Sequence, residues 1–152
     1  HSGKGSPILR GSHFLTHLEM DWHSAIWRPY IDVFSRDNAL IRSDQRSTGL
    51  SDPNPSCLDL DRHVDDLKSV IDAAGLDKIP LIALSQRVPV AVRFAAANPE
   101  RVKSIVLYGG YVEGRALRDE GTSANAAEAM KTLRKEGGGK PNSALKNAFT
   151  SF

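Results

Sequence analysis

Ser85 stands between two segments of opposite character. Before it, Ile79-Pro80-Leu81-Ile82-Ala83-Leu84 is a short apolar run, as a strand buried on both faces requires. After it, Pro89, Val90, Phe94 and a run of alanines predict a helix with Pro89 in its first turn. A serine at such a corner has two readings. It caps the helix, as serines before helices commonly do. Alternatively its hydroxyl, lifted above the strand end, is a nucleophile, and free N–H groups of the helix N-terminus face the charge that acyl transfer develops on oxygen.

Metal chemistry has weaker support. His13 and His17 stand four apart, the spacing that puts two ligands on one helix face, but no zincin glutamate accompanies them and the segment reads as loop. Asp61, His63 and Asp65 would scatter around a helix. The sequence predicts no metal site and no cofactor.

The elements that must position Ser85 follow from periodicity and punctuation. Ser6 to Gly11 predicts a strand after a glycine-rich lead-in. Ser24 to Arg36 carries Ile26, Trp27, Tyr30 and Phe34 at helical spacing, with Pro29 near the start. Asn38 to Ser43 is the next strand and Asp44 to Asp52 a turn-rich loop. A helix then opens around Ser56-Cys57-Leu58-Asp59 with Ser56 as N-cap. Leu60, Val64, Leu67, Ile71 and Ala74 give it a core stripe, Asp61, Arg62, His63, Asp65, Asp66 and Lys68 a solvated face, and Gly75 its end. Val102 to Tyr108 is the last strand. Alternating strands and helices predict an α/β fold: a parallel sheet with right-handed crossovers and helices on both faces.

A length of 152 residues suits one domain with a sizeable core, and 20 basic against 18 acidic residues leave a charge of only +2. That balance, with no basic run beyond a solvated helix face, predicts no nucleic-acid partner. No apolar stretch is long enough to span a bilayer, so no membrane partner is expected. A lone cysteine, Cys57, makes the reducing cytoplasm the natural setting. The chain opens on His1-Ser2-Gly3, which suggests that an N-terminal portion is missing.

Longer stretches narrow the reading. Ala83 to Ala91, then Asn98-Pro99-Glu100-Arg101-Val102 and Ile105-Val106-Leu107-Tyr108-Gly109-Gly110-Tyr111, resemble the α/β-hydrolase family. So do His13-Phe14-Leu15-Thr16-His17-Leu18-Glu19-Met20-Asp21-Trp22 and Asp44-Gln45-Arg46-Ser47-Thr48-Gly49-Leu50-Ser51-Asp52. The likeness is to bacterial hydrolase domains that stand alone or are attached to LuxR-type regulators and adenylate cyclases. It implies a partial α/β-hydrolase core over residues 1–114, then the start of a helical lid over 115–152. It also implies that the strand at Asn38 lies outside the strand at Ser6, and the Ser85 strand on the latter's other side, so that Ser85 sits where the strand order reverses.

The implied roles are Ser85 as nucleophile and the backbone N–H groups of Phe14 and Gln86 as oxyanion donors. Trp22, Trp27 and Tyr111 are pocket-wall candidates, around a small hydrolysable, ester-like substrate. The family's G-x-S-x-G is altered, with Ala83 and Arg87 at its glycine positions, Val88 at a further one, and His13 and Ser47 at two more. An arginine at position 87 is expected to crowd Ser85.

The resemblance places the acid and the histidine base late in the chain, yet no histidine follows Ser85 and the nearest carboxylate after the last strand is Glu113. Neither His13 nor His17 matches a family base. The expectation is a fragment of a serine hydrolase that lacks its acid and its histidine. Alone it would be inactive, with an exposed sheet edge that invites self-association. The alternative is a non-catalytic sensor or interaction module that keeps the fold with an eroded elbow.

Overall fold

A computed structural model describes residues 1–12, 16–111, 124, 128 and 131. Strands β1 (Ser6–Arg10), β2 (Asn38–Arg42), β3 (Ile79–Leu84) and β4 (Val102–Tyr108) form one parallel sheet in the order β2-β1-β3-β4. Helices α1 (Trp27–Arg36), α2 (Leu60–Ala73) and α3 (Arg87–Ala97) make the crossovers. The order reverses between β1 and β3, so their carboxyl ends flank the crevice where such sheets take ligands.

Helices lie on both faces. On one, Leu9, Ile79 and Leu81 of the sheet pack with Leu67 and Ile71 of α2 and Val90 and Phe94 of α3. Side chains alternate along a strand, so Arg10 points to the other face, where its guanidinium lies 4.7 Å from the Trp27 ring of α1. β4 is an outer strand among the described residues. Its Val106, Leu107 and Tyr108 are exposed, Tyr108 to 68%.

Two helix starts differ from the sequence reading. Helix α2 starts at Leu60, and its cap is Asp59 rather than Ser56: the Asp59 carboxylate accepts the Arg62 N–H at 2.8 Å. The ends of the predicted stripe, Leu60 and Ala74, are exposed, and the core contacts come from Val64, Leu67, Val70 and Ile71. Helix α1 starts at Trp27, because Ser24 Oγ accepts the N–H groups of Ile26 and Trp27 at 3.2 Å. Gly75 does end α2, at φ +67°.

The chain divides into two compact units, His1–Val112 and Glu113–Phe152. In the second, Ala124, Glu128 and Lys131 are helical, and Glu128 and Lys131 form an exposed ion pair at 3.7 Å. The expected boundary after Gly114 and the expected lid lie outside the described residues.

Candidate active site

Ser85 occupies the corner between β3 and α3 at φ +51°, a left-handed conformation that a non-glycine residue adopts at a cost of roughly 1–2 kcal/mol. Hydrogen bonds on either side hold it there. Its N–H donates to the Tyr108 carbonyl at 2.9 Å, extending the β3–β4 ladder, and its carbonyl accepts the Val88 N–H at 3.1 Å. The residue is exposed, and no side chain caps α3. The capping reading of Ser85 therefore has no hydrogen bond behind it. Gln86 is the N-cap position, and its backbone N–H makes no hydrogen bond among the described residues. A strained, exposed serine beside an unused N–H is an arrangement suited to nucleophilic attack with oxyanion stabilisation.

Arg87 does not crowd Ser85. Its side chain turns inward and is 6% exposed, and Nη2 donates to Ser12 Oγ at 3.0 Å. Gly11 makes the room: a Cβ there would stand 3.0 Å from Arg87 Cγ. Val88 is accommodated in the same manner by Gly110, where a Cβ would meet the Val88 side chain at 2.4 Å. Thus the space that the motif's glycines leave within the elbow is supplied here by glycines at the ends of β1 and β4.

Burial pushes the Arg87 guanidinium down to about 10, against the pull of the Asp66 carboxylate and with the help of the Arg46 charge. It is a cation at neutral pH. Asp66 is held below its ordinary value chiefly by Arg46, which donates Nε to Oδ2 at 2.7 Å and Nη2 to Oδ1 at 2.5 Å. Arg46 also donates to the Cys57 carbonyl at 3.0 Å. Asp66 and His63, both on the expected solvated face of α2, are partly buried. Burial lowers the His63 imidazole, and the Arg87 charge lowers it further. A cavity of about 250 Å³ is bounded by Gly11, Ser12, Asp44, Arg46, Asp66 and Arg87 among others.

The loop after β2 is organised by Asp44, whose Oδ2 accepts the N–H groups of Leu18 at 3.1 Å and Leu50 at 2.9 Å. Gly49, at φ +55°, lies against this carboxylate with no space for a Cβ. Ser47 takes φ +68° in the same loop and donates its N–H to the Asp52 carbonyl at 2.9 Å.

Trp22 and Trp27 meet arginines rather than Ser85. Trp22 has the Arg28 and Arg42 guanidiniums each 5.2 Å from its ring centroid, and Trp27 has Arg10. Beside them Asp21 is buried and bonded to Arg42 at 3.0 Å. Tyr111 follows Gly110 beyond β4 and is half-buried. His17 Nδ1 accepts the Met20 N–H at 3.3 Å. Phe14 and His13 lie outside the described residues, as does Glu113. Among the described residues no cluster of side chains could hold a metal ion, and no helix is long and apolar enough to cross a membrane.

No family model matches the chain. Among curated proteins it is 27% identical over 109 residues to the putative carbamate hydrolase RutD of Azorhizobium caulinodans, spanning 72% of this chain and 39% of that one. It is 48% identical over 48 residues to a 2-hydroxy-6-oxononadienedioate/2-hydroxy-6-oxononatrienedioate hydrolase of Dechloromonas aromatica, spanning 32% of this chain and 17% of that one. Among solved structures, an epoxide hydrolase of Bacillus megaterium superposes with a TM-score of 0.69 at 23% identity, over 99% of this chain and 54% of its own. An esterase of Thermogutta terrifontis gives 0.69 at 24%, over 91% and 48%. The likeness to the solved structures is one of fold, and the chain spans about two-fifths to one-half of the length of the RutD relative, the epoxide hydrolase and the esterase.

Proposed function

From a chain that carries part of the α/β-hydrolase fold, we propose a hydrolase that works by acyl transfer through Ser85 on a small ester-like substrate. The observation that carries this reading is the strained Ser85 at the carboxyl end of β3, beside the unused Gln86 N–H at the start of α3. In the reaction Ser85 Oγ adds to the acyl carbon while its proton passes to a base. The alcohol or amine leaves with that proton, and water then releases the acid and frees the serine. The Gln86 N–H, with Phe14 as its partner, carries the oxyanion. The base and its orienting carboxylate come from outside the described residues. The curated relatives and structural neighbours are named for hydrolysis of carbamate, dienedioate, epoxide and ester compounds, which supports a small-molecule substrate.

The second reading, a binding module without turnover, is favoured by one fact: Ser85 Oγ makes no hydrogen bond to any imidazole among the described residues. A serine-directed phosphonate and a small activated ester separate the two in the full-length polypeptide. Labelling at Ser85, with hydrolysis lowered about 10³-fold or more by Ser85→Ala, is the expected result. A folded protein that is neither labelled nor active would overturn the acyl-transfer reading.

A further inference from the structure

Arg87 is a buried cation, 6% exposed, with no carboxylate within ion-pair distance among the described residues. Its guanidinium carries several N–H donors, yet among the described residues it makes a single hydrogen bond, from Nη2 to Ser12 Oγ at 3.0 Å. Burying such a group is costly unless both its donors and its charge are met. Arg87 and Ser12 both bound the cavity of about 250 Å³. Its wall runs from these two buried residues to Asp52 and Ser69, which are exposed, so the cavity opens on solvent.

The other charges on that wall are already engaged. Asp66 takes two N–H groups of Arg46, so Arg46, Asp66 and Arg87, two guanidiniums against one carboxylate, leave a net positive charge. Asp44 organises the loop after β2, with Oδ2 on the Leu18 and Leu50 N–H groups and Oδ1 buried against Gly49. Asp52 is exposed, and its Oδ1 accepts the Asn54 N–H at 2.9 Å. The group left unmatched in the buried part is therefore a cation. Water satisfies its N–H groups alone, whereas an anion satisfies its charge as well. Ser12 Oγ accepts from Arg87 and keeps its own hydrogen to donate, among the described residues. We propose that this cavity binds a small carboxylate, its oxygens on the planar fork of Arg87 and on the Ser12 hydroxyl. Size permits it: a water takes a share of about 30 Å³, so a cavity of about 250 Å³ holds acetate with several waters. The site does not require Ser85 to react.

The test titrates the full-length polypeptide with sodium acetate at fixed ionic strength, sodium chloride making up the balance. It follows the melting temperature and the NMR resonance of the Arg87 Nε–H. Wild type should respond saturably, with a dissociation constant on the order of 1–10 mM. Arg87→Met should weaken binding about tenfold or more, and Arg87→Lys, which keeps the charge without the fork, by less. No saturable response in wild type, or an equal one in Arg87→Met, would overturn the site. Saturation by chloride, with acetate adding nothing, would overturn the carboxylate assignment. Should Arg87→Met fail to fold, the wild-type Arg87 Nε–H resonance decides the matter: saturable movement with acetate upholds the site, and a fixed resonance overturns it. None of these readouts uses turnover, so they stand apart from the phosphonate and ester results at Ser85.

Discussion

In the turn after β2, Ser47 stands where the family resemblance implies a glycine and itself takes φ +68°. In the turn after β3, Arg87 and Val88 stand at such positions but remain helical, and the glycines that make room for them are Gly11 and Gly110. The difference lies in what each missing glycine did. At position 47 it supplied a dihedral angle, which no neighbour can supply in its place, so the backbone there bears about 1–2 kcal/mol of strain. At positions 87 and 88 it supplied space, and space can be provided from across a contact. An elbow can therefore lose its glycines and still hold Ser85 at φ +51°, provided the opposing strands end in glycine.

The largest expected effect is at that opposing position. Gly110→Ala would place a Cβ 2.4 Å from Val88, and overpacking of this kind should destabilise the protein by about 1–3 kcal/mol in urea denaturation. Adding Val88→Gly, which removes the Val88 Cβ as well as both methyls that the new Cβ would meet at 2.4 to 2.5 Å, should leave the double variant less destabilised than the two single losses summed. If the second substitution only adds to the first, space is not being exchanged between the two positions and the comparison breaks.

Ser47→Gly tests the other half. Relief of the left-handed strain, less the entropy that glycine gains in the unfolded chain, should stabilise by about 1 kcal/mol or less. A loss would show that the Ser47 side chain contributes more than its backbone angle costs.

The smallest effect is electrostatic. His63 has its imidazole lowered from an ordinary 6.5 by burial, with the Arg87 charge adding to it. The unfolded chain then takes up this proton before the folded one does. Stability should fall as pH drops below about 6.5 and level off under the folded value. His63→Gln should flatten that limb when denaturation midpoints at about pH 7.5 and about pH 5 are compared. An unchanged limb would mean that burial and the Arg87 charge together do not lower the His63 imidazole.

The corner at Ser85 and the four-stranded parallel order are legible in the sequence because they follow from local patterns and from a resemblance that spans the sheet. The first residue of α2 is not. Ser56 and Asp59 are both good caps, three residues apart, and only the fold decides that the Asp59 carboxylate reaches the Arg62 N–H. The bidentate Arg46–Asp66 pair escapes for a different reason. Position 66 lies outside the core stripe, so helical periodicity assigns it to solvent, and nothing local announces that the loop after β2 folds over it. The inward turn of Arg87 is hidden in the same way. Gly11 and Gly110 are visible as glycines after strands, but their use depends on β1 and β4 both flanking β3. Trp22 and Trp27 read as pocket-wall candidates because they are large aromatics, and the guanidiniums of Arg10, Arg28 and Arg42 over their rings are not legible because they come from β1, α1 and β2.

The bond between Arg87 and Ser12 also bears on the order of assembly. β1 meets β2 after a single crossover, whereas the elbow needs β1 and β3 already side by side, because its tie spans 75 residues. Closing a long loop costs chain entropy before the contact gives anything back. The angle at Ser85 has a nearer requirement, since the Tyr108 carbonyl that holds it comes from β4, one crossover away. A nascent chain in which β4 has not yet joined β3 would hold Ser85 as an ordinary relaxed serine, while the Arg87–Ser12 tie waits for β1.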